Sequence, residues 1–557
     1  MQQVVQDELH EIASLPWPPM RHVRRGMARL DERGQRLVAG RLRAALAQFE
    51  PAPGVNRAAL RRFFSFLSQV EVIAIEVPLS ALPTAAPEVV PLLERQLADE
   101  VFHSTVFAAL AQKLGGLDAP IPEAERVLDE IRQQEDPKTT AVLLNLIAEG
   151  WIENLFDQAV GWGAADEVFR IVLEDESRHV EEAHAHAEGL DITRVGAAVR
   201  EFEEQLFRLS QHPRVMLPIL ALAGEQRFRQ LAQSFLDTHK AALAEVGLEM
   251  APAVKEMEAI FAEIDTTQTL PPAREIPFDS QWRRTALEIW DTPRSPAMSG
   301  WFEARVDHVP KHLLTAVMVA AVGQVYAEFP RVNRYVQGGK LWQPATVNVG
   351  VRAGLGDQGE ALTTIVVPQA DKRSVEDIRR IVREGVANMN ALGAAIARPQ
   401  PDAEQEPLRH VLRDEELAGM LPPGSVAAPV TVSNAGKVGL HAGFGAMPGA
   451  LGQSLEIIIG RVEKKPQWTG WRYRPVDTIV VGCTADHRVV DGAHTGEAMR
   501  RLREALSPEG VQKILDRPDT LTPEELSQVA KAQQQGAMLM ACKAPWYLGW
   551  LCWLFKK

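Results

Sequence analysis

The chain has 557 residues, of which 24% are charged, and a net charge of −13. That length exceeds what one hydrophobic core serves and implies two or three domains, and the acidic balance argues against nucleic-acid binding, which needs a basic surface to displace counterions from phosphates. The three cysteines, Cys483, Cys542 and Cys552, show no C-x-x-C spacing, which excludes a disulfide framework, a thiolate zinc site and an iron–sulfur cluster.

Residues 1–15 carry Asp7, Glu8 and Glu11 where a secretion signal would place a basic run and an apolar core, so a cytoplasmic protein is expected. From about residue 20 to 262 the text is rich in Ala, Leu, Glu and Arg, with apolar residues at three- and four-residue intervals, which predicts an all-α domain. Within it, Glu71 is the only charged residue of the apolar run 63–75, and Glu149 follows the apolar run 141–148. Both carboxylates should therefore face a core. Two Glu-x-x-His units, Glu100 with His103 and Glu176 with His179, place each pair about 60° apart on one helix face, able to grip one ion.

A buried carboxylate is costly unless it is protonated or meets positive charge, and a pair of metal ions meets four at once. The order Glu, Glu-x-x-His, Glu, Glu-x-x-His resembles the ligand set of the ferritin-like di-iron carboxylate bundles, over roughly residues 61–189. The resemblance implies Glu71, Glu100, His103, Glu149, Glu176 and His179 as ligands of two iron or manganese ions. Glu153, one turn beyond Glu149, is an alternative ligand. Glu76, two residues before Pro78, reads as a helix-end rival of Glu71, and His184 and His186 read as solvated. Residues 1–269 hold no tyrosine, which excludes a tyrosyl radical, and Phe107 follows His103 by four positions. Oxygen activation, peroxide handling or ferroxidase work remain open.

Between residues 264 and 282 the close-set Pro271, Pro272 and Pro277 mark a linker. Beyond it, helices alternate with β-branched runs at 346–351, 363–367, 430–433, 455–459 and 478–481, which predicts an α/β domain. The stretch 398–407 reads as an exposed Pro- and acid-rich loop. The last predicted strand leads into Asp-His-Arg-Val-Val-Asp-Gly at 486–492. Imidazole takes up a proton near neutral pH, so His487 is a candidate general base, with a turn histidine as the plain alternative.

That motif resembles the active-site signature of the 2-oxoacid dehydrogenase acyltransferases and the related chloramphenicol acetyltransferases. Phe329-Pro330-Arg331-Val332-Asn333, Gly338-Gly339-Lys340, Val347-Asn348-Val349-Gly350-Val351 and Val430-Thr431-Val432-Ser433-Asn434-Ala435-Gly436 extend the likeness over most of 283–508. The resemblance implies a chloramphenicol acetyltransferase-like fold and a CoA thioester donor. It also implies His487 as the base that deprotonates the acceptor, Ser433 as the oxyanion donor, Asp491 as the acid that orients the loop, and a homotrimer or a multiple of it. No lipoyl or peripheral-subunit-binding segment is read before this half, so a place at the core of a 2-oxoacid dehydrogenase complex is not expected. Ala446-Met447-Pro448-Gly449 departs from the family's Asn- and Pro-rich stretch, which leaves the acceptor unidentified.

The expected organisation is a helical di-iron domain over 1–265, a linker over 266–282, an acyltransferase domain over 283–508, and a C-terminal helix with an apolar tail over 509–557. Trp546, Trp550 and Trp553 would form a stripe on a tail helix, suited to peripheral contact with a membrane surface or to docking on the protein itself. Two functions follow as expectations: a bifunctional enzyme joining CoA-dependent acyl transfer to di-iron oxidation, or an acyltransferase whose helical half is a metal-binding or oligomerising scaffold.

Overall fold

The computed structural model describes residues 2–251 (apart from 84, 135, 137, 138, 141, 188–191, 211 and 246), 254–255, 273–277, 297–355, 361–396, 414–421, 428–445, 451–527 (apart from 469) and 529. The chain divides into two compact units, Met1–Glu263 and Ile264–Lys557. The 398–407 loop, Ala446 to Gly449 and the Trp-bearing tail lie outside the described residues.

The first unit is helical. Its elements are α1 (Gln2–Ala13), α2 (Met20–Arg29), α3 (Glu32–Gln48), α4 (Arg57–Ala81), α5 (Val90–Lys113), α6 (Pro122–Arg132), a π-helix (Val142–Ala148), α7 (Glu149–Ala159), α8 (Asp166–Ala187), α9 (Ile192–Ser210), α10 (Pro213–Ala223) and α11 (Glu225–Glu245). The apolar run that sets α4 in the core begins behind an Asn56 cap, whose side chain accepts from Ala59 N. By length and composition α4 could cross a membrane, but most of it is buried inside this unit. It packs along α5, and α7 packs along α8. Phe63, Phe64, Phe107, Phe156 and Phe169 stack into one buried aromatic cluster between these helices. Phe107 is therefore a core residue.

The proline at 78 does not end α4, which continues to Ala81. Glu76 is thus inside the helix rather than at its end. It is held by Arg25 at 2.7 and 2.9 Å and by His22 at 2.5 Å. Those partners keep its carboxyl below the ordinary range against the upward push of burial.

The second unit is α/β. In chain order it holds β1 (Ala273–Ile276), β2 (Ala297–Arg305), α12 (Leu314–Glu328), β3 (Tyr335–Gln337), β4 (Lys340–Pro344), β5 (Val349–Leu355), β6 (Ala361–Val367), α13 (Val375–Ile396), α14 (Glu415–Gly419), β7 (Val430–Asn434), β8 (Leu451–Gln453), β9 (Leu455–Ile459), β10 (Glu463–Trp468), β11 (Tyr473–Asp486), α15 (Gly492–Ala505) and α16 (Pro508–Leu515). One sheet runs β10-β11-β9-β7-β5-β6, with β2 also paired to β11; a smaller one runs β1-β4-β3-β8. β1 lies within the stretch read as linker and pairs antiparallel with β4. One face of the large sheet, with Val349, Val430, Val432, Ile457, Val481 and Cys483, is buried in a core that includes α12, α13 and α15. The opposite face carries the alternate residues, among them Ser433.

Candidate functional sites: a carboxylate–histidine cluster and a strand-end histidine

In the helical unit, α4 contributes Glu71, α5 Glu100 and His103, and α8 Glu176 and His179, all of them buried. One ligand atom from each of Glu71, Glu100, His103 and Glu176 lies within 4.8 Å of the others. His103 Nδ1 is 3.0 Å from Glu176, 3.4 Å from Glu100 and 3.6 Å from Glu71. His179 Nδ1 is 3.1 Å from Glu100 and 3.6 Å from Glu176. Glu149 opens α7 directly after the π-helix, a distortion often found at functional sites. Its side chain lies outside the described residues, as do those of His184 and His186. Glu153 accepts a 2.7 Å hydrogen bond from Ser177 and is not part of the cluster atoms.

Two aspartates that the sequence reading passed over complete the arrangement. Asp175 Oδ2 sits 3.1 Å from Nε2 of His103, and Asp99 Oδ2 sits 3.8 Å from Nε2 of His179. Each histidine is therefore backed by the aspartate that precedes the other motif's glutamate. The only signal for this was the repeated Asp-Glu-x-x-His spelling at 99–103 and 175–179.

The electrostatics are those of a crowded anionic site. Burial, with the charges of Glu176 and Glu100 beside it, pushes the Glu71 carboxyl up to about 8, against the opposing pull of His103. Burial would raise Glu176 too, but the imidazoles of His103 and His179 hold it down at about 2. Burial would lower His103, yet the carboxylates around it hold its pKa well above the ordinary value.

The donor set of Glu71, Glu100, His103 and Glu176 could hold a hard metal cation. Glu71 Oε1, both oxygens of Glu100, Nδ1 of His103 and Oε1 of Glu176 are buried and make no hydrogen bond. Such orphaned atoms are rare in cores unless something else satisfies them. Arg41 and Arg178 pair with Asp99 and Asp175, whereas among the described residues the ion pairs of Glu71, Glu100 and Glu176 are with His103 and His179 alone. Oxygen and imidazole donors without thiolate suit iron or manganese.

In the α/β unit, β11 ends at Asp486, and His487 begins a tight turn in which the backbone N–H groups of Val489 and Val490 both donate to Asp486 O at 2.9 Å. The turn is pinned by Arg488. Its buried guanidinium grips Asp486 at 2.8 Å and reaches Glu415 of α14 at 3.1 Å. Asp491 caps α15 by accepting from His494 N at 2.8 Å, so its carboxylate fixes the end of the turn that carries His487. Cys483, three residues before Asp486, faces the core; burial pushes its thiol up to about 12, which removes it as a nucleophile.

Ser433 lies on β7 opposite Ile458 of β9, and Ile458 lies opposite Gly482 of β11. From Gly482 the chain runs five residues to His487. Two strand spacings across and five residues along put Ser433 and His487 roughly 10 Å apart in one direction and roughly 16 Å in the other. A single copy therefore does not bring the two together.

Residues 423–513 match the family described as 2-oxoacid dehydrogenases acyltransferase (catalytic domain). That stretch lies within the second unit and contains Ser433, His487 and Asp491. The second unit thus carries a catalytic-domain segment of acyltransferase type. Among solved structures, the chain is similar to a probable dihydrolipoamide acetyltransferase from Listeria monocytogenes 4b F2365, at 19% identity over 45% of this chain and 98% of that one, with a TM-score of 0.30. It is also similar to a chloramphenicol acetyltransferase, at 11% identity over 42% of this chain and 100% of that one, with a TM-score of 0.29. A truncated catalytic core of the 2-oxoacid dehydrogenase multienzyme complex from Thermoplasma acidophilum matches at 14% identity over 42% of this chain and 99% of that one, with a TM-score of 0.26. No curated protein sequence matches the chain.

Proposed function

We propose that this chain is a bifunctional enzyme in which a CoA-thioester-dependent acyltransferase is fused to a ferritin-like di-metal oxidative domain. The observation that carries the first half is the acyltransferase family match over 423–513, with His487 held at a strand end between Arg488 and the helix-capping Asp491. In this reading His487 takes the proton from the acceptor nucleophile as it attacks the thioester carbonyl. The Ser433 hydroxyl donates to the oxyanion, and CoA leaves as the thiol after recovering the proton from His487. Since Ser433 and His487 of one copy stand apart, the working site joins Ser433 of one subunit to His487 of the next, in a trimer or a multiple of it.

The oxidative half rests on the convergent, unbonded donors of Glu71, Glu100, His103 and Glu176, with His179 beside them. These residues would hold two iron or manganese ions, which when bound supply dioxygen or peroxide chemistry. The chain's own part is to fix the donors, to bury them away from water in the helical core, and to keep both imidazoles aimed through Asp99 and Asp175.

Two assays test the two halves separately. Purified protein should release CoA from an acyl-CoA in the presence of small thiol or amine acceptors, and the release should be lost on His487→Ala. Elemental analysis should find about two irons or manganese per chain, lost in a Glu100→Ala, Glu176→Ala double variant. A wild type that takes up no metal under reconstitution would leave an acyltransferase with a helical scaffold.

A further inference from the structure

The two metal-site motifs are near-copies, Asp99-Glu100-Val101-Phe102-His103 and Asp175-Glu176-Ser177-Arg178-His179, and they differ where the second carries an arginine and the first a phenylalanine. Arg178 bridges both backing aspartates, with Nη2 at 2.6 Å from Asp175 and 3.1 Å from Asp99. By the symmetry of the motifs, the opposite side of the cluster lacks a guanidinium. Arg41, 58 residues before Asp99, fills that vacancy from α3, a helix that contributes none of the proposed ligands. Its Nη1 lies 2.5 Å from Asp99, its Nη2 is hydrogen-bonded to Asp175, and its guanidinium carbon sits 4.1 Å above the Phe102 ring. The phenylalanine that stands in the arginine's place thus serves as the platform for an arginine delivered from elsewhere.

We infer that Arg41 is a positioning residue of the metal centre: it ties the two backing aspartates together, and through them aims His103 and His179 into the carboxylate cluster. The inference rests on the metal-binding reading above. A planar fork can bond two carboxylates at once, and a lysine cannot reproduce that geometry. Asp175 so held meets Nε2 of His103 at hydrogen-bond distance, 3.1 Å, and Asp99 lies 3.8 Å from Nε2 of His179; with Nε2 turned to an aspartate, Nδ1 of each imidazole faces the glutamates. Arg41 and Arg178 each bridge the same two aspartates, so the geometry of both histidines depends on both arginines together.

The test is Co(II) binding to the metal-free full chain, followed through the visible d–d bands that report coordination geometry. The variants are Arg41→Leu, and Arg41→Lys as the one that keeps charge and fold. Both should bind Co(II) about 10- to 100-fold more weakly than wild type, the usual cost of losing a partner behind a metal ligand. The band position should shift in both. Combining Arg41→Lys with Asp175→Asn should cost less than the product of the two single losses, because they act in one chain of contacts. A wild-type affinity and an unshifted spectrum in Arg41→Lys would overturn the inference while leaving the metal reading intact. A wild type that binds no Co(II) would overturn both.

Discussion

His487 and Ser433 serve different parts of one reaction, so their losses should differ in size. Replacing a general base removes proton transfer, and His487→Gln should lower kcat for acyl-CoA turnover by about 10²- to 10⁴-fold. Replacing an oxyanion donor removes stabilisation of the tetrahedral intermediate alone, and Ser433→Ala should cost about 10²- to 10³-fold in kcat with KM for acyl-CoA little changed. Steady-state kinetics on both variants checks this, and a Ser433→Ala enzyme of undiminished kcat would remove the serine from the chemistry. In the helical unit the residues to watch are Glu71 and His103, whose folded pKa values both lie above their ordinary ones. The metal-free fold therefore holds more protons than the unfolded chain once pH rises past the ordinary carboxylate value. Stability from these groups is present at low pH and is lost as pH climbs through their folded values. Melting of the metal-free helical unit, followed by circular dichroism, should fall in temperature between about pH 5.5 and 8.5, and added metal should flatten that slope by displacing the protons. A melting temperature that rises over that range in the metal-free protein would contradict the assignment.

At the scale of elements, what the sequence made legible followed local periodicity. The Glu-x-x-His pairs could be placed because three residues of helix return to the same face, and β9 was read at its observed bounds because its β-branched Ile457, Ile458 and Ile459 carry a strong strand preference. β11 was read only over 478–481, since that run is flanked by Pro475 and Asp477 on one side and Gly482 and Asp486 on the other, residues depleted from strands. β2 was missed altogether: Ala297, Ser299 and Gly300 have little strand preference, and the element exists because it pairs with β11 along nine positions. Asp99 and Asp175 read as ordinary helix charges, and nothing near residue 41 announces a partner 58 or 134 positions away. The hairpin joining β3 to β4 shows the opposite case, where a local signal has a tertiary cause. Gly338 takes a φ of +58°, and a Cβ there would stand 2.1 Å from Gly419 Cα of α14. Strain and overlap act together, so Gly338→Ala should destabilise the second unit by about 2 kcal/mol or more in urea unfolding. It should also lower acyl-CoA turnover, because α14 carries Glu415, which braces Arg488 beneath His487. Unaltered stability would mean that α14 moves aside without cost.

At the scale of the whole molecule, the sheet register sets the assembly. Ser433 lies near one end of β7 and His487 just past the end of β11 on the opposite side of the same sheet, so no rotamer of either side chain spans the gap within one copy. If catalysis joins the serine of one subunit to the histidine of its neighbour, each site in a mixed oligomer depends on which chains flank it. Ser433→Ala and His487→Ala variants should each be inactive alone. When they are unfolded together, refolded in equal amounts and allowed to assemble at random, about a quarter of the sites pair an intact serine with an intact histidine, and activity should return to about a quarter of wild type. Analytical ultracentrifugation on the same samples should give a trimer or a multiple of it. Refolded mixtures of the right mass with no recovered activity would place both groups' work within single subunits, and the register of β7, β9 and β11 would then require a different partner for His487 than Ser433.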